Sequence, residues 1–269
     1  MLGTDFRSIV EQRGIPCAAS GREVDISDGK SVTAFLDRHR DIDVVVNCAA
    51  YTDVDTAEKE QERAFLVNGD GPGILARLCC ERDIMLYHIS TDHIFPGTGS
   101  MPRETDSPAA PVNTYGRSKL KGEENIMRSQ CRYAIFRTQR LYGKHGTNFV
   151  DTITERLMQG TDLRVINDQT GAVTRTADLC RLIAVCMEQN RTGIYHAVNT
   201  GYATWYETAV EIQHILGTDC RITPCTSEEY SQTAERPKNC RLSTVSLEQA
   251  DLSMRPWQDA LSEYMRFYR

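Results

Sequence analysis

The sequence contains no run of 18 or more apolar residues, so no membrane-spanning helix is expected. It has no C-x-x-C pair: its ten cysteines stand at 17, 48, 79, 80, 131, 180, 186, 220, 225 and 240, and no Cys/His group has metal-ligand spacing. Neither a zinc site nor a disulfide framework is therefore expected. Cysteines inside apolar segments read instead as small buried hydrophobes in a reducing, cytoplasmic compartment. A basic surplus is also missing: 31 Lys and Arg against 37 Asp and Glu leave a net charge of −6. That balance, with an isoelectric point near 5.6, argues against nucleic acid or an anionic membrane as partner. The opening Met1-Leu2-Gly3-Thr4-Asp5-Phe6-Arg7 lacks the basic-then-apolar pattern of a signal peptide. No internal repeat or low-complexity tract is present.

What the chain does have is 269 residues, 40% hydrophobic and 25% charged, enough for one large domain or one domain with a smaller lobe. Asp43-Val-Val-Val-Asn-Cys-Ala-Ala50 is β-branched and apolar on both faces, which predicts a central parallel strand covered on both sides. Met85–Ser90, Tyr133–Arg137 and Gly193–Val198 read the same way, and Ile15–Ala19 more weakly. Helical patterns lie between them. Thr4–Gln12 is stopped by Arg13-Gly14, and Asp28–His39 starts with an Asp cap. Asn68–Arg82, Asn113–Ser129, Thr176–Gln189, Thr204–Leu216 and Trp257–Phe267 follow. Alternating β and α at this spacing predicts an α/β, Rossmann-type doubly wound parallel sheet. The polar stretch Gly143–Asn148 and the helix-rich segment after about 201, punctuated by Pro224, Pro237 and Pro256, predict a second lobe. The expected division is a dinucleotide-binding domain over 1–142, with returns to the sheet at about 174–200. A substrate-binding lobe is expected over 143–173 and 201–269.

Tyr115-Gly-Arg-Ser-Lys119 sets a phenol and an ammonium at i and i+4, on one helical face. Reduction of a ketone by hydride needs a proton for the nascent alkoxide; a tyrosine can deliver it, and a nearby Lys⁺ lowers its pKa toward neutrality. With 11 tyrosines and six lysines, chance alone yields about a quarter of one such match, so an exposed surface pair is the rival reading. Ser90-Thr91-Asp92 ends a predicted strand, on the side where doubly wound sheets bind ligands. Thr91 there can polarise a carbonyl, although such runs are also common turns and caps. Ala49-Ala50 allow close backbone approach, or simply fill core. Asp25-Ile26 could meet an adenine amino group, or form a capping loop before Ser27-Asp28. Gly97-Thr-Gly99 reads as a tight turn, and among the histidines only His93, beside Asp92, is placed to touch a substrate. No acid stands in Ser20-Gly21-Arg22, where an NAD enzyme usually carries one, and Arg22 could face a 2′-phosphate; NADPH is expected over NADH.

In order along the chain, these pieces resemble the dTDP-4-dehydrorhamnose reductase family of extended short-chain dehydrogenases/reductases. The match runs through Asn47-Cys-Ala-Ala-Tyr-Thr-Asp-Val-Asp55, Val67-Asn68, Ser90-Thr-Asp-His-Ile-Phe-Pro-Gly97 and Glu104-Thr-Asp106. It continues in Asn113-Thr-Tyr-Gly-Arg-Ser-Lys119, Gly122-Glu123, Phe136-Arg-Thr138 and Leu141-Tyr-Gly143. Asn148-Phe149, Asp168-Gln169-Thr-Gly171, Gly193-Ile-Tyr-His196 and Arg236-Pro237 complete it, covering nearly the whole chain. The resemblance implies Thr91, Tyr115 and Lys119 as catalytic residues. It implies Gly3, Arg22, Asp25, Ile26, Ala49, Ala50, Tyr51, Tyr115 and Lys119 as NAD(P)H contacts, and Thr91, Asp92, Tyr115 and Arg140 as substrate contacts. It further implies reduction of the 4-keto group of a dTDP-6-deoxy-4-hexulose on the way to dTDP-L-rhamnose. A nucleotide sugar is the expected partner, with a homodimer as the form compatible with the family. Two rivals share the fold: a regulatory subunit resembling the methionine adenosyltransferase β subunit, and a sibling nucleotide-sugar epimerase or dehydratase.

The chain departs from the family twice. Arg140 stands where the family usually has a Trp near the sugar. The family also begins with a strand and a G-x-x-G-x-x-G turn, of which Gly3 matches only the last glycine. The expectation is a natural start roughly 10–15 residues upstream, given strands of about 5–6 residues. Without that start, weak dinucleotide binding and self-association through an open sheet edge are expected.

Overall fold

The computed structural model describes residues 1–230 and 233–268. In chain order the elements are α1 (Leu2–Gln12), α2 (Gly29–Arg38), β1 (Val44–Asn47), α3 (Val54–Ala57) and α4 (Gln61–Phe65). A π-helical turn over Leu66–Asp70 leads into α5 (Gly71–Glu81), β2 (Met85–Thr91), α6 (Thr114–Arg128), β3 (Tyr133–Thr138) and β4 (Leu141–Tyr142). Then come α7 (Phe149–Met158), β5 (Leu163–Ile166), β6 (Thr170–Gly171), β7 (Thr174–Arg175), α8 (Thr176–Glu188) and β8 (Gly193–His196). The chain finishes with β9 (Ala203–Thr204), α9 (Trp205–Leu216), β10 (Ile222–Cys225), α10 (Val245–Glu248) and α11 (Trp257–Met265).

The main sheet has the order β1-β2-β3-β8, every pair parallel. Its strands read as apolar runs because both faces are covered. Met85, Tyr87, Ala134 and Phe136 meet Leu2, Phe6 and Val10 of α1 and Leu179 and Ile183 of α8. Leu86 and Ile135, one residue out of phase, meet Val32 and Leu36 of α2, Leu75 of α5 and Ile126 of α6. In α1 the buried residues recur at i, i+4 and i+8, one stripe on the sheet. Each such side chain contributes about 1.5–3 kcal/mol when fully buried.

Ile15–Ala19 is not a strand: it is irregular and mostly exposed. Its first N–H closes α1 by donating to Val10 O at 2.9 Å. A strand here needs a ladder partner beyond β1, and β1 is an edge of the sheet among the described residues. The helix expected from Asn68 begins earlier, at Gln61, and runs through the π turn. That extra residue per turn aims Asn68 inward, where it is fully buried.

The second cluster gathers Tyr142, Val150 and Leu157 of α7, Val165 of β5, Ile212 of α9, and Trp257, Leu261 and Tyr264 of α11. Here β5 pairs with β10 in parallel. Leu247, Leu252 and Met254, from the segment expected in this lobe, pack with the sheet instead. Asp178 of α8 binds Arg255 at 2.8 Å, and Arg255 and Arg175 both bind Glu263 of α11, which ties the lobe to the sheet. No helix among the described residues is long and apolar enough to cross a membrane.

Candidate active site

Because the four strands run parallel, their C-terminal ends share one edge of the sheet, and β1 and β2 deliver Asn47 and Thr91 there. Helix α6 begins beside them. Its first turn is set by Asn113, whose side chain accepts from Gly116 N at 2.8 Å, and by Glu58, whose carboxylate accepts from Thr114 N and Oγ1 at 2.7 and 2.8 Å. Gly116 lets this turn lie directly on the segment after β2: a Cβ there would stand 2.2 Å from His93 O. Tyr115 is thereby held edge-on to the His93 ring, 5.4 Å between centroids.

The Tyr115 phenol lies close enough to Thr91 and Asp92 for both to act on its pKa. Burial pushes its pKa up to about 12, with Thr91 opposing the rise and Asp92 adding to it. Lys119, one helical turn further on, is buried against the end of β2. Its Nζ donates to Ile89 O at 2.6 Å and lies 3.2 Å from His88 Nε2. Burial lowers Lys119 to about 8, against the raising effects of Glu123 and Cys48. Glu123 is itself held by Arg137 through both carboxylate oxygens, the shortest contact 2.8 Å, and by the Ser90 hydroxyl.

Beyond Thr91 opens a cleft of about 400 Å³, lined among others by Asp92, His93, Arg140, Trp205 and Arg236. This size suits a small-molecule ligand. Arg140 has φ +46° and a guanidinium that donates to Ala203 O and Gln169 O at 2.7 and 2.8 Å while lying 4.3 Å above the Trp205 ring. The aromatic side chain that the family was expected to place at 140 is thus absent, but Trp205 of α9 presents one against Arg140. Arg236 is fixed by Asp55 at 2.7 Å. His93 receives a hydrogen bond on Nδ1 from Asn113 Nδ2 (3.1 Å), an amide oriented by its acceptance from Gly116, so a neutral His93 carries its proton on Nε2. Burial lowers the His93 pKa, keeping the ring neutral. Cys240, also in the cleft wall, is pushed well above the usual thiol range by burial and is no nucleophile.

The expected cofactor residues fall into two groups. Ala49, Ala50 and Tyr51 follow β1; Asn68 fastens Tyr51 through its N–H (2.8 Å) and carbonyl (2.9 Å) and reaches Ser118 of α6 at 3.0 Å. Gly3 sits in the first turn of α1, opposite Cys48. Arg22, Asp25 and Ile26 form the second group, ahead of α2. Asp25 accepts from Ser27 N and Oγ, the capping-loop arrangement, and Ile26 packs on Gly71. An acid does reach the Ser20–Arg22 turn: Glu23 accepts from Gly21 N at 2.6 Å. The sequence reading did not single out Asn47, Asn68, His88, Asn113 and Glu58 as site residues. A polar residue ending a β-branched strand, as Asn47 does, was the available signal.

The family model described as RmlD substrate binding domain matches residues 1–269. A spore coat polysaccharide biosynthesis protein of Bacillus subtilis is 36% identical over 266 residues, covering 98% of this chain and 93% of the relative. A dTDP-4-dehydrorhamnose reductase of Streptomyces griseus is 38% identical, covering 98% of this chain and 89% of the relative. The solved dTDP-4-dehydrorhamnose reductase of Bacillus anthracis, in complex with NADP, superposes with a TM-score of 0.94 at 30% identity, covering 99% of this chain and 95% of that one.

Proposed function

The chain belongs to the RmlD substrate binding domain family, and from that premise we propose that it reduces the 4-keto group of a dTDP-6-deoxy-4-hexulose with NADPH, in the manner of dTDP-4-dehydrorhamnose reductase. The observation that carries this reading is Thr91 at the end of β2 close to Tyr115 in the first turn of α6, next to an arginine-lined cleft that Asp92 and His93 enter, with Lys119 on the next turn of the same helix.

The residues fit a dinucleotide. The N-terminus of α1 has no side-chain cap, so its first N–H groups suit a pyrophosphate, and Gly3 leaves ordinary van der Waals room toward Cys48. Ala49 and Ala50 offer small side chains, and Lys119 is an amine suited to ribose hydroxyls. When bound, the dihydronicotinamide supplies hydride. Thr91 Oγ1 polarises the ketone oxygen, and Tyr115 Oη gives that oxygen its proton as the alcohol forms. A phenol held near 12 is protonated at neutral pH, the form that a proton donor requires. Arg140, Arg236 and Asp92 belong to the substrate side, the lobe built around α7, α9 and α11 being its platform. All ten cysteines are free, which supports a cytoplasmic setting.

The test is NADPH oxidation with dTDP-4-keto-6-deoxyhexose. Tyr115→Phe is expected to lose about 10²–10⁴-fold in kcat, the range for general acid catalysis. Unchanged turnover would remove Tyr115 from the mechanism.

A further inference from the structure

Beneath Lys119 lies a buried chain of polar groups. Asn47 Oδ1 accepts from Ala49 N at 3.0 Å, which fixes the orientation of its amide. The other end, Nδ2, therefore points its hydrogen at His88 Nδ1, 3.1 Å away. With Nδ1 an acceptor, a neutral His88 carries its proton on Nε2, and that nitrogen is 3.2 Å from Lys119 Nζ. His88 is completely buried, and burial followed by the neighbouring Lys119 holds its pKa well below the usual value, so the ring does not add a second proton. An Nε2–H can donate to an amine lone pair but is repelled by an ammonium. The remaining Nζ contact, donation to Ile89 O at 2.6 Å, is one an amine makes as well.

We infer that His88, locked by Asn47 with its Nε2–H toward Lys119, is a positioning residue that sets the balance between amine and ammonium at Lys119. This rests on the reductase reading above. The proton leaves Tyr115 for the ketone oxygen, and the ammonium form of Lys119 is the one that favours the phenolate left behind.

The other groups facing Lys119 do not replace His88. From α6 comes Glu123, engaged by Arg137 of β3. From the end of β1 comes Cys48, whose thiol burial pushes up to about 12 and leaves neutral. Glu123 favours the ammonium, while burial, the largest influence, favours the amine and brings Lys119 to about 8.

Two measurements test this in the full chain. Nitrogen-15 NMR of histidine-labelled wild-type protein is expected to show His88 as the Nε2–H tautomer; an Nδ1–H signal would overturn the inference without any variant. Asn47→Asp accepts from Nδ1–H and turns Nε2 into an acceptor, and His88→Gln can set a carbonyl at the Nε2 position; both favour the ammonium. Reduction is expected to fall as pH rises through the wild-type limb near 8, and in both variants that limb moves up by about one unit or more. Limbs that stay in place, in variants whose fold is intact by circular dichroism, would sink the idea. If Tyr115→Phe is instead fully active, it is the reductase mechanism that fails, and the tautomer result still stands by itself.

Discussion

Asp25 and Glu23 are two carboxylates in one short turn, and each ends on its own backbone, Asp25 on Ser27 and Glu23 on Gly21. Both are held below the usual carboxylate range by those hydrogen bonds. The sequence could show that Ser20–Arg22 contains no acid; it could not show that a side chain one position on folds back over the turn. For the proposed cofactor this matters, because a carboxylate repels a 2′-phosphate and Arg22 attracts one. Glu23→Gln is expected to raise the ratio of kcat/KM for NADPH over NADH by about two- to fivefold, and Arg22→Ala to lower it by a similar factor, the range of exposed ion pairs. Steady-state rates with both cofactors decide it; a ratio indifferent to both changes would take this turn out of cofactor choice. The same limit applies to the buried asparagines. Asn47, Asn68 and Asn113 are ordinary letters in the sequence, and their importance comes from which N–H each must satisfy once buried.

At the scale of elements, local chemistry was readable wherever it is self-contained. Thr204 and Glu207 form a reciprocal capping box and Gly217 closes α9 with φ +68°, so the helix ends where composition placed it. Asn113 caps α6 by accepting from Gly116 N. What was not readable depends on partners far along the chain: Ile15–Ala19 lacks a ladder partner among the described residues, and α7 and β5 gave no separate signal within the second lobe. Gly116 joins both levels, since its place in α6 is a matter of propensity but its necessity comes from His93. Gly116→Ala puts a methyl group into a backbone carbonyl, which cannot rotate away. The first turn of α6 is expected to retreat from β2, at about 1–3 kcal/mol as in other overpacked sites. Tyr115 moves with it, and a displacement near 1 Å is expected to reduce kcat about 10²-fold. Thermal unfolding and turnover measured together test this; a lowered Tm with kcat within twofold of wild type would mean that the contact stabilises α6 without aiming Tyr115.

The whole molecule is acidic, yet its cleft is not. Net charge is −6, while Arg140, Arg156, Arg164 and Arg236 line the cavity with Asp92 as the acid among its lining residues. Arg140 and Arg236 are pinned, the first to two carbonyls and the second to Asp55. Arg156 and Arg164 are exposed at the rim, Arg164 near Glu229 at 3.2 Å. A nucleotide diphosphate sugar approaching an acidic protein meets repulsion at long range and a local field of opposite sign at the cleft. Salt reduces both, but its larger effect falls on the exposed rim, because the screening length shrinks from about 10 Å at 0.1 M to about 3 Å at 1 M. KM for the nucleotide sugar is therefore expected to rise about three- to tenfold between these salt concentrations, with kcat changing by less than about twofold because Thr91 is buried and Tyr115 half-buried. Arg156→Gln and Arg164→Gln together should raise KM at low salt and flatten its salt dependence. A KM that stays level across the series in wild-type protein would show that shape and hydrogen bonding, not the rim arginines, bring the substrate in.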